Sequence, residues 1–64
     1  MTTDQAQRAG QRAARAEAHG DELAARALFR DVIREATGLR QRGRDELAIA
    51  LCVAYGHGHD GGEV

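Results

Sequence analysis

The chain closes on AYGHGHDGGEV, residues 54–64, where three kinds of chemistry overlap. Gly56, Gly58 and Gly61 spell G-x-G-x-x-G behind an apolar run, the spacing of a loop that cradles a phosphate on its backbone amides. Such a loop works only between a strand and a helix whose first N–H groups meet the phosphate. Only Gly62, Glu63 and Val64 follow Gly61, the last glycine of the motif, so the nucleotide reading is set aside. His57, His59 and Asp60 offer two imidazoles and a hard oxygen, with Cys52 just upstream, donors that suit Zn, Ni or Cu. A closed metal site needs four fixed ligands, whereas His19 is far away in sequence and no second histidine or cysteine pair exists. No metal and no other cofactor is therefore expected. Cys52 with His57 as base would make a thiol nucleophile, but a cysteine inside an apolar run reads as a small inert core residue. No paired carboxylates stand in an apolar setting, and the chain reads as a non-enzyme.

What must position any site is a very small domain. The 64 residues contain no proline and thirteen alanines, so an all-α fold is expected. Large apolar side chains are few, and a core built from them is thin. Residues 1–44 hold nine arginines and six acids, and residues 45–64 hold four acids and no arginine. A net charge of −1 is a small basis for binding nucleic acid, which is not favoured, or an anionic membrane. The single cysteine excludes an internal disulfide. The first twenty residues lack the apolar core of an export signal, and LAIALCVAY is far too short to span a bilayer. A cytoplasmic protein is therefore expected, and a lysine-free chain rich in Ala, Arg and Gly is the pattern of a GC-rich bacterial genome.

Three segments emerge. Residues 1–19 form a weakly ordered helical arm, with Asp4 as N-cap, Gln7 three residues on, and a stripe of Ala6, Ala9, Ala13 and Ala16 interrupted by Gly10. Residues 21–43 form the main helix, capped by Asp21, with Glu22 placed to pair with Arg26. Ala25, Leu28, Phe29, Val32, Ile33, Ala36 and Leu39 lie on or beside one face, and whether this helix ends at Gly38 or continues to Gly43 is open. Residues 44–56 form a third helix, buried on most sides and stopping at Gly56. Residues 57–64 are then a flexible, disordered Gly/His tail. The expected architecture is a single domain over 1–56, a helical hairpin or a three-helix arrangement.

Two resemblances bear on function. The Gly20-Asp21 turn, small Ala25, aromatic Phe29 and apolar Ile33, followed by Leu51, Tyr55 and Asp60, resemble a tetratricopeptide-type helical repeat over residues 12–60. That resemblance implies a protein-binding scaffold. Arg44-Asp45-Glu46-Leu47 through Tyr55-Gly56 is similar to the first helix and turn of bacterial helix-turn-helix regulators, which implies a DNA-binding regulator. The competing expectation is a DNA-associated accessory protein using Arg8, Arg12, Arg15, Arg40, Arg42 and Arg44 on phosphates. The preferred expectation is an interaction or oligomerisation module, a homodimer or one half of a pair with a helical protein. Its face comprises the seven residues of the main helix together with Leu51 and Tyr55, with Phe29 at the centre of the buried surface.

Overall fold

The computed structural model describes residues 1–61 and consists of three helices, α1 (Thr3–Ala18), α2 (Glu22–Gln41) and α3 (Asp45–Gly61). The all-α expectation holds in its three-helix form. Two short connections join the helices, and they end α1 and α2 in the same way. Gly20 and Gly43 each take φ near +78°, a conformation that costs glycine little. The next residue's N–H then donates to a carbonyl five residues back, Asp21 to Ala16 at 2.8 Å and Arg44 to Leu39 at 2.8 Å. Gly38 does not end α2, because the helix passes through it and carries Leu39 onto the core.

The N-terminal caps are local side-chain events. At α1 the cap is Thr2 and not Asp4: the Thr2 hydroxyl accepts from Gln5 N at 3.1 Å while Gln5 Oε1 accepts from Thr2 N at 2.9 Å. This reciprocal box satisfies two otherwise orphaned donors two residues earlier than the sequence spacing indicates. Asp4 instead pairs with Arg8 at 3.2 Å. Asp21 caps α2 as expected, its carboxylate accepting from Ala24 N at 3.2 Å. The expected Glu22–Arg26 pair is not among the ion pairs of the described residues.

The core takes one residue from each helix, Ala6, Val32 and Leu51, with Ala9, Leu39, Ala54 and Tyr55 partly buried around it. Val32, 1% exposed, is its centre; Phe29, 51% exposed, is not. The first helix is more than a loosely held arm. Its most extensive contacts are with α3, and it contributes four buried residues, Ala6, Gly10, Ala13 and Ala14. Small side chains let the backbones meet. A Cβ on Gly10 would fall on the Tyr55 carbonyl oxygen and 2.7 Å from His59 N, and one on Gly58 would fall on the Gln7 carbonyl. The Cα trace measures 37 × 22 × 12 Å.

This crossing moves the end of α3. The helix expected to stop at Gly56 continues to Gly61, so residues 57–61 of the expected tail are helical, and residues 62–64 lie outside the described residues. Glycine disfavours a helix by about 1 kcal/mol relative to alanine, but contact between Gly58 and α1 overrides that local preference.

Candidate functional site

The third helix is not buried on most sides. Ala48 and Leu51 are buried, while Leu47, Ile49, Cys52 and Val53 are exposed, Ile49 by 62% and Val53 by 51%. An apolar helix with one side on the core and the other on solvent leaves a face open.

That face continues onto α2. Ala25, Val32 and Ala36 are buried, and Leu28 and Leu39 are half-buried on one side of them. Leu28 shares a surface with Ala9 of α1. Phe29 and Ile33, one turn apart on the other side of Val32, are exposed toward α3. Between α2 and α3 runs a groove of about 430 Å³ with a floor of Ala36 and Ala48, walls of Ile33, Ile49 and Val53, and Thr37 and Cys52 beside them. Arg40 and Asp45 stand at its loop end, the only charged residues lining it among the described residues. Beyond Ile33 the same line reaches Phe29 and Gly56, where Phe29 meets Tyr55 with ring centroids 5.4 Å apart and planes tilted by 55°.

Of the nine residues assigned to the face from sequence, Ala25, Val32, Ala36 and Leu51 are used inside the chain, Leu28, Leu39 and Tyr55 are half-covered, and Phe29 and Ile33 remain open. Ile49 and Val53 were missed. They sit inside an uninterrupted apolar run, where periodicity carries no mark of which side is covered.

The histidines serve separate ends. Two residues apart on a helix, His57 and His59 differ by about 200° in direction, so they do not turn to a common point. His57 is exposed, whereas His59 Nε2 bonds to the Glu17 carboxylate at the end of α1, its Nδ1 lies 3.7 Å from Asp60, and its ring stacks on Tyr55 at 6.2 Å. Among the described residues no three His, Cys, Asp or Glu side chains are grouped to hold a metal. The hydrogen bond to Glu17 raises the His59 pKa above its ordinary 6.5, with the charges of Glu17 and Asp60 adding to it and burial opposing it. A raised folded pKa stabilises the charged form, so this contribution is complete below about pH 6.5 and disappears as pH rises through the folded value. The thermal midpoint is therefore expected to fall across that window, and His59→Gln is expected to flatten the slope. An unchanged slope in the variant would show that the pair does not hold α3 to α1.

The arginines are divided among surfaces. Arg8 and Arg12 line one with Asp31 and Glu35, Arg40 stands at the end of the groove, and Arg42 and Arg44 flank the turn between α2 and α3. Acids interleaved with Arg8 and Arg12 weaken the field that a phosphate backbone would meet. Among the described residues no helix is long and apolar enough to cross a membrane. No protein-family model, no curated protein and no solved structure matches the chain.

Proposed function

We propose that the chain is a non-enzymatic interaction or oligomerisation module whose working surface is the α2–α3 face. The observation that carries this reading is the exposure of Ile33, Ile49 and Val53 along one groove, with Phe29 exposed beyond its end, beside a core whose largest fully buried side chain is a single valine. Contiguous apolar surface on a small protein marks a place where another surface docks. Covering a fully exposed aliphatic or aromatic side chain is worth about 1.5–3 kcal/mol, a large share of the stability of so short a chain. The tetratricopeptide-type resemblance, which implies a protein-binding scaffold, points the same way. A second copy of the chain and another helical protein are the two kinds of partner such a face accommodates.

The test is Ile49→Glu with Val53→Glu. Both side chains point to solvent, so helical content by circular dichroism should persist while binding of an apolar fluorescent dye to the dilute chain is lost. A dilute wild-type chain that binds no dye, or binding equal in the variant, would remove this face as the working surface.

A further inference from the structure

We infer that the occupant of the α2–α3 face is a second copy of this chain, set about a twofold axis parallel to the two helices so that α2 of each protomer lies over α3 of the other; this rests on the reading of that face as a docking surface. The groove carries its own complement. Because α2 and α3 are joined by a short turn and run in opposite directions, their residues meet in levels: Arg40 with Asp45, Ala36 and Thr37 with Ile49, Phe29 with Gly56. A twofold axis along the hairpin keeps each level and exchanges its two sides. The protruding Ile49 of one protomer then sits over the alanine floor at Ala36 of the other, and Phe29 sits over Gly56, around which nothing lies within 4 Å of a Cβ position. Large residues over small ones at matching heights are the pattern of interlocking helices.

The charges select this axis over its alternatives. Arg40 and Asp45 share the loop end of the groove, and neither has an ion-pair partner among the described residues. With the axis along the hairpin, Arg40 of each copy lies over Asp45 of the other, giving two reciprocal pairs. An axis perpendicular to the helices would instead set Arg40 against Ile33 and Asp45 against Val53, leaving both charges on apolar surface. The face is self-complementary, as an isologous interface requires. A chain this small, with no disulfide, gains from association the burial that its own core cannot supply.

The experiment is sedimentation equilibrium of the full chain over a wide concentration range, with Arg40→Asp, Asp45→Arg and the double reversal. Dimer is expected for the wild type. Each single reversal, counted twice across the axis, should weaken it by about tenfold or more, and the double reversal should return the affinity to within about threefold of wild type. Both positions are solvent-exposed, and circular dichroism checks that each variant keeps its helices. A chain that stays monomeric at every concentration while its dilute form binds the apolar dye would overturn the second copy and leave the docking surface for a different helical partner. A dimer indifferent to the single reversals, or one the double reversal fails to restore, would overturn the arrangement proposed.

Discussion

Gly10→Ala is expected to lower the thermal midpoint by about 10 °C or more. In an isolated helix the change is favourable by about 1 kcal/mol. Here the added Cβ meets the carbonyl oxygen of Tyr55 and the amide of His59, both backbone atoms that cannot turn aside. Relief requires α1 and α3 to separate, which uncovers Ala6, Leu51 and Tyr55 together. Overpacking against side chains costs about 1–3 kcal/mol, and against backbone the upper end applies, so the helix-propensity gain is outweighed. Gly38→Ala is the control. That glycine also lies within a helix, but nothing lies within 4 Å of its Cβ position, and the propensity term acts alone to raise the midpoint. Thermal melts of both variants by circular dichroism decide the matter, and equal stabilisation by the two would show that α1 and α3 are not in backbone contact.

Leu51→Ala should leave little folded protein. Leu51 is 3% exposed and is the α3 member of the three-residue core, so truncation leaves a cavity between all three helices. Such a loss costs about 2–5 kcal/mol, against a total for a chain of this length of the same order. Ile49→Ala, two residues earlier on the solvent side, should scarcely change the fold of the dilute chain. Phe29→Ala falls between them, because half of the ring is already in water and only the part against Tyr55 is lost. Denaturant titrations at low concentration should give the order Leu51, Phe29, Ile49 in decreasing loss. A loss at Ile49 as large as that at Leu51 would show that α3 is rotated from the orientation described.

Much of the fold was legible in the sequence because α2 writes its core face at regular helical spacing and Gly20 and Asp21 mark its start, while its end stayed open between Gly38 and Gly43. The first helix was underestimated for a definite reason. Counting apolar area treats Ala6 and Ala13 as weak and Gly10 as a defect, yet small residues hold helices by letting backbones approach, and whether they do so depends on the partner. That partner is Gly58 and its neighbours, in a stretch whose glycines read locally as a helix stop. The open groove was half-legible: Phe29 and Ile33 stood out on α2, while the unbroken run LAIALCVAY concealed that Ile49 and Val53 face the same way.

The flatness of the Cα trace, 12 Å in its shortest direction, has a thermodynamic consequence. In so thin a slab, water lies within about one side chain of every helix axis, and much of what unfolding newly exposes is alanine and polar backbone. Apolar exposure raises the heat capacity of unfolding and polar exposure lowers it, so the increment falls below the roughly 12–15 cal/mol/K per residue usual for globular chains. The enthalpy of unfolding then changes little with temperature, and the stability curve of the single protomer is broad and shallow. Cold therefore weakens the fold only slightly.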